Sequence, residues 1–182
     1  MTALSNIKQH FRDQAASDWP DDLTQVAIVL NDGCFCDWSA LLLVMRSAFK
    51  QNLGQIDPPS TVFDCTERDL ADRAEHERLL LAYRGAELVG CLFMRPRLDE
   101  LFLGRFAISP DLQGTGLARR MIRHAEACAL GYGLHCLALE TRVELRLNQM
   151  KFQKFGFVIT GGRAHAGYDR TTTLRMEKRL HT

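Results

Sequence analysis

The chain has 182 residues, 46% apolar and 25% charged, which suits one globular unit near the usual ~150 residues per domain and excludes disordered, collagenous and coiled-coil chains. Lys plus Arg number 23 against 22 Asp plus Glu, a net charge of +1 that lacks the strongly basic balance of a phosphate-backbone binder, so no nucleic-acid partner is expected. The N-terminal stretch has no apolar signal core, and the longest clean apolar run, Ala40–Met45, is far short of the ~20 residues of a membrane span; a cytoplasmic protein without membrane partners is expected.

Residues 1–22 read as an N-terminal extension and 23–182 as the domain. Leu23–Leu30 carries Val26, Ile28 and Val29 and ends in Asn31-Asp32-Gly33, the pattern of a first strand and its turn. From Asp37 the spacing changes: Trp38, Leu41, Leu42, Met45 and Phe49 fall on one helical face, with Asp37 placed as the cap. A loop follows, and Thr66 with Asp69 resembles a capping box opening a short polar helix. Leu79–Tyr83 and Glu87–Met94, joined through Gly85, read as an antiparallel hairpin. Glu100–Ile108 is apolar on both alternating faces, as a strand covered on both sides must be. After the turn Ser109–Gly116, apolar positions from Leu117 to Tyr132 predict an amphipathic helix stopped by Gly131 and Gly133. Leu134–Leu139 supplies a parallel strand ending in Glu140, about 144–155 a further helix, and Phe157–Thr160 and Thr171–Leu180 two closing strands.

The chemistry concentrates at Gln113-Gly114-Thr115-Gly116-Leu117-Ala118. Consecutive backbone N–H groups at a helix N-terminus favour a di-anion such as a pyrophosphate, and Arg119, Arg120 and Arg123 add positive charge on or beside the first turn. The alternative is a plain tight turn with solvated arginines. The P-loop pattern is absent, and a Rossmann fingerprint would need Gly or Ala where Arg119 stands, although Glu140 imitates its ribose-binding acid; a dinucleotide-binding domain therefore stays as an alternative. Of the six cysteines, Cys65, Cys91, Cys128 and Cys136 lie in or beside apolar segments and are expected as reduced thiols. Cys34-Phe35-Cys36 has no CxxC or HxxxH partner, so no metal site is expected.

The run from Phe106 to Arg119 resembles motif A of the GNAT superfamily of acyl-CoA-dependent N-acyltransferases, Gln/Arg-x-x-Gly-x-Gly/Ala, matched by Gln113, Gly116 and Ala118. The element order, Asn148, the Phe155-Gly156-Phe157 break and the last Met176-Glu177-Lys178 strand extend the likeness over most of the chain. It implies a mixed α/β fold: a mostly antiparallel sheet of six to seven strands flanked by helices, with a parallel, splayed pair at the cofactor site. It further implies acetyl-CoA as co-substrate, its pantetheine arm along Phe106, Ala107 and Ile108, and its pyrophosphate on Gln113, Gly114, Thr115, Gly116, Leu117, Ala118 and Arg119. Asn148 would bond the arm, or be a solvated helix residue. The acyl acceptor would be a small-molecule or protein amine that attacks directly, in a chain able to form a homodimer.

Many relatives carry a tyrosine at position 152 that protonates the departing thiolate; here Phe152 has no proton to give, which keeps a non-catalytic acyl-CoA-binding module in view. Glu140 is the candidate base, with helix capping or pairing to Arg142 as its structural alternative. Tyr168 and Asp169 are placed to line the amine side, although Tyr168 also suits simple packing under its loop. Acceptor choice would rest on the segments Gln51–Cys65 and Gly161–Arg170.

Overall fold

A computed structural model describes residues 25–181; the expected extension 1–22 and the start of the first strand at Leu23 lie outside them. In chain order the elements are β1 (Val26–Leu30), α1 (Trp38–Phe49), α2 (Glu67–His76), β2 (Arg78–Arg84), β3 (Glu87–Pro96) and β4 (Leu101–Ile108), then α3 (Leu117–Gly131), β5 (Cys136–Arg142), α4 (Arg146–Lys154), β6 (Val158–Arg163) and β7 (Thr173–Arg179). They form one seven-stranded sheet in the order β1-β2-β3-β4-β5-β7-β6, antiparallel throughout except for β4 beside β5. This is the mixed, mostly antiparallel α/β architecture expected from the sequence. No helix among the described residues is long and apolar enough to cross a membrane.

Each local element follows from the residues at its ends. Asp37 Oδ1 accepts the Ala40 N–H at 3.0 Å and starts α1. At α2, Thr66 Oγ1 accepts the Asp69 N–H (3.2 Å) while Asp69 Oδ2 accepts the Thr66 N–H (2.8 Å), so two helix-end donors are satisfied reciprocally. Replacing Thr66 by alanine is expected to cost about 1 kcal/mol, a fall in Tm of roughly 2–4 °C by calorimetry. An unchanged Tm would show that the box contributes nothing. α3 stops where Gly133 takes φ 71°, with the Leu134 N–H on the Ala129 carbonyl and the Gly133 N–H on that of Leu130, both 2.9 Å.

The sheet buries a core on each face. On one face Leu101, Leu103, Leu137, Leu139 and Met176 of the sheet pack with Met121 of α3; on the other Leu79, Leu81, Cys91 and Phe93 pack with Met45 of α1 and Leu70 of α2. The central strand thus has apolar side chains on both faces, as its sequence requires.

The feature that positions the site is a break in β4. Cys91 faces Ala107 and Phe93 faces Gly104, so Arg105 and Phe106 together oppose Leu92 in a β-bulge. Arg105 sits at φ 50°, alone among the described non-glycine residues in having positive φ, a conformation costing about 1–3 kcal/mol. The bulge bends β4 away from β5: their parallel pairing covers only Leu101–Leu103 against Leu137–Leu139.

Several boundaries differ from the sequence expectation: β2 and β3 are longer, Arg78–Arg84 and Glu87–Pro96, β7 is shorter, Thr173–Arg179, and three further shifts have a visible cause or bear on the site. Strand β5 starts at Cys136 rather than Leu134, because Leu134 is still engaged in the α3 stop. Helix α4 begins at Arg146, two residues later than expected. Strand β6 runs on to Arg163 instead of ending at Thr160, since Gly161 and Gly162 continue the ladder. Gly162 is needed there: a Cβ would lie 2.8 Å from Thr171 Cγ2 and 3.0 Å from the Thr173 carbonyl.

Candidate active site

Where β4 and β5 diverge, a cleft of ≈ 670 Å³ opens between them, bounded by the turn before α3, by α4 and by the loop after α1. The Ser109 N–H bonds the Val89 carbonyl at 2.8 Å, so by strand alternation the N–H and C=O of Ile108 point the other way, into the gap. Gln113 Nε2 donates to that Ile108 carbonyl at 3.1 Å. The free edge of β4 thus offers main-chain groups to an extended ligand, as added strands use them.

The turn completes one end of the cleft. Gly114 and Gly116 take φ 83° and 103°, and Gly116 is the N-cap of α3 with no side chain bonded across the helix end. The N–H groups of Leu117, Ala118 and Arg119 therefore have no intrahelical acceptor and point toward the positive end of the helix dipole. Ala118 keeps the approach open, and the Arg119 guanidinium lies 5.5 Å from the Phe155 ring at the rim. A pyrophosphate fits this cradle by charge and by donor arrangement.

Of the residues singled out in the sequence, Phe106, Ile108, Gln113, Gly114, Gly116, Ala118, Arg119, Asn148 and Glu140 line one cleft. Other side chains go elsewhere. Ala107 packs into the α1/α2 core and Leu117 into the α3 core, which leaves only their main chain for a ligand. Thr115 turns its hydroxyl back to the Leu112 carbonyl at 2.7 Å. Arg120, expected beside the phosphates, instead donates to the Val26 carbonyl at 2.9 Å, because its position on the helix faces β1.

At the other end, Glu140 meets Arg163 in a two-pronged ion pair, Nε to Oε1 at 3.0 Å and Nη2 to Oε2 at 2.7 Å. That guanidinium holds the Glu140 carboxyl below its ordinary value against the opposing effect of burial, so the group stays ionised. Tyr168 is not on the cleft wall. Its hydroxyl donates to Asp57, whose other oxygen takes Arg170 Nη2 at 2.8 Å, so the two segments expected to govern acceptor choice are fastened to each other. Hydrogen bonding to Tyr168 lowers the Asp57 pKa and raises that of Tyr168, which makes this phenol a weaker acid than usual.

Arg105 and Thr173, also on the wall, were not singled out in the sequence, Arg142 entered only as a partner for Glu140, and Arg163 and His165 only as part of Gly161–Arg170. Their signal is the alternation along β5 and its neighbours: Glu140 and Arg142 share a face, and Arg142 is the register partner of Thr173. Among the described residues no cysteine lines the cleft, and burial pushes the nearby Cys91 thiol up to about 12.

The profile of the acetyltransferase (GNAT) family matches residues 42–157, well over half the chain. The chain belongs to the GNAT acetyltransferase family. No curated protein matches it. Among solved structures, PaiA N-acetyltransferase from Thermoplasma acidophilum, in complex with coenzyme A, superposes with a TM-score of 0.69 at 16% identity over 85% of this chain and 99% of that one. The ribosomal-protein-S18-alanine N-acetyltransferase from Escherichia coli gives 0.65 at 17% identity, over 86% and 95%. The IAA acetyltransferase from Bacillus cereus gives 0.60 at 22% identity, over 85% and 99%. These likenesses concern the fold. Family membership makes the protein an acyl-CoA-dependent acetyltransferase with acetyl-CoA as co-substrate, and the cleft has the main-chain edge and amide cradle which that substrate needs.

Proposed function

We propose that this GNAT acetyltransferase, working in the cytoplasm, passes the acetyl group to a primary amine by direct attack, with Glu140 receiving the amine and Ile108 facing the reacting carbonyl. The observation that carries the reading is the single cleft that joins the open β4 edge and the α3 amide cradle to an ionised carboxylate. In the step, the amine nitrogen forms a bond to the carbonyl carbon and the carbon–sulfur bond breaks. The proton lost from nitrogen leaves by way of Glu140 or a water it orients, and the thiolate takes one up from solvent. Negative charge developing on the carbonyl oxygen is met by the Ile108 N–H turned into the gap.

Phe152 gives no proton to the departing sulfur. It packs instead with Phe106, ring centroids 6.5 Å apart, and Phe157 at 5.8 Å, as an apolar wall beside the thioester end. A thiol with pKa near 8.5 leaves tolerably without an acid, so turnover persists. Phe152→Tyr is expected to raise kcat about 3- to 10-fold, with the KM for acetyl-CoA little changed. An unaltered kcat would mean that sulfur departure does not limit the rate.

Asn148 is assigned to the pantetheine arm, from its place on the cleft wall at the first turn of α4. Tyr168 is assigned a positioning role through the Asp57 contact. The test is thiol release from acetyl-CoA across a panel of amines, beside calorimetric binding of acetyl-CoA and NAD. Thiol release with one or more amines supports the transfer; acetyl-CoA binding without release from any amine would make the chain a non-catalytic binder, and NAD binding in its place would overturn the reading altogether.

A further inference from the structure

The acceptor end of the cleft holds donors with nothing to donate to. Arg142 has its side chain only 13% exposed, yet its Nε and Nη2 are buried without a hydrogen-bond partner. The Thr173 hydroxyl, opposite it in the β5–β7 register, is also buried and unbonded. Buried donors left unmade cost about 1–3 kcal/mol each, more when charged, so the fold keeps them here against a real penalty.

The unused edge of Arg142 has a defined shape. Nε and Nη2 form the fork with which Arg163, on the same sheet face, holds the Glu140 carboxylate at 3.0 and 2.7 Å. Glu144 does not fill it. Its Oε2 stays 3.7 Å from Arg142 Nε and is itself without a hydrogen bond, while its Oε1 is drawn off by the Asp57 N–H at 3.3 Å and Arg170 at 3.6 Å.

Electrostatics point the same way. Of the four arginines on the acceptor side of the wall, Arg73 is paired with Glu77 and Arg163 with Glu140, whereas Arg142 has Glu144 no nearer than 3.7 Å and Arg105 has a neutral partner. Arg105 donates to the Thr61 hydroxyl at 3.2 Å, and the two carboxylates whose charge it feels are bonded elsewhere, Asp69 to Thr66 and Glu77 to Arg73 and Arg95.

We propose that the acceptor is an amine that also bears a carboxylate, gripped by the Nε/Nη2 edge of Arg142 and the hydroxyl of Thr173 while its nitrogen lies toward Glu140. The inference rests on the acetyltransferase reading of the cleft, and its test keeps the two apart.

The experiment compares L-amino acids with their own carboxamides, by thiol release and by calorimetric binding to the enzyme saturated with coenzyme A. At least one amino acid is expected to exceed its carboxamide by about 10- to 100-fold in kcat/KM, the worth of a charge-assisted fork. Thr173→Val keeps the shape and removes the unbonded hydroxyl. It is expected to raise the KM for that amino acid about fivefold or more, with acetyl-CoA affinity and Tm undiminished. Arg142→Gln should erase the preference for the acid over the amide. Carboxamides that serve as well as acids, or Thr173→Val with wild-type KM, overturn the carboxylate site while thiol release with those same amides leaves the acetyltransferase intact. Release with no amine at all removes both.

Discussion

Replacing Gly116 by valine is expected to abolish acetyl-CoA binding in calorimetry, weakening Kd at least ~100-fold, while the circular dichroism spectrum keeps its native form. Gly116 sits at φ 103° as the residue that turns the chain into α3. A β-branched side chain disfavours that conformation, and relaxing to negative φ swings the Leu117 and Ala118 amides off the line along which they meet a pyrophosphate. Two charge-assisted hydrogen bonds at about 1.5–3 kcal/mol each account for a loss of that size. The strain itself costs about 1–2 kcal/mol, small against a domain stability of about 5–15 kcal/mol, so the sheet and both cores persist. Gly85→Ala, at φ 60° in the β2–β3 turn remote from the cleft, is the control for strain alone and should lower Tm while leaving Kd as it was. A Gly116→Val protein that binds acetyl-CoA within threefold of wild type would remove the cradle from the site.

The turn and its helix were legible in the sequence because everything that makes them is local. Gly114 and Gly116 mark positive φ, the apolar stripe from Leu117 marks the helix, and the double-faced run Leu101–Ile108 marks the strand between two cores. The splaying of β4 from β5 was available only through family likeness, since the bulge that causes it falls on Arg105, a residue with no local signal for positive φ. The acceptor end was hidden for a different reason. Glu140 finds Arg163 across 23 residues and Tyr168 finds Asp57 across 111, and a charged residue in a sequence does not announce a partner that only the sheet brings near. Arg142 and Thr173 are further from view still: what distinguishes them is a pair of unfilled donors, which exist only once the neighbours are in place. The end of β6 was hidden in the same way: the strand was expected to stop at Thr160, and the close approach of Thr171 and Thr173 that requires glycine at 162 exists only in the folded sheet.

Glu140→Gln is expected to lower kcat about 10²- to 10³-fold without changing acetyl-CoA affinity, because the amide keeps the shape but cannot take a proton. The pH profile supplies the sharper test. In the wild type the hydrogen bond and charge of Arg163 hold the Glu140 carboxyl below its ordinary 4.5, so the acid limb assigned to it lies below that value. Arg163→Met removes the largest of the stabilising contacts to the ionised form. The pKa then rises, and the acid limb of kcat/KM moves up, with burial opposed only by the weaker charges of Arg175 and Arg97. His165 is the rival base on the same wall, and burial with the nearby Arg142 and Arg163 lowers its pKa, keeping it neutral at pH 7. Its Nδ1 is engaged with the Thr172 hydroxyl at 2.6 Å, and His165→Gln is expected to retain most of kcat. An acid limb unmoved in Arg163→Met, together with a large loss in His165→Gln, would transfer the role from the carboxylate to the imidazole.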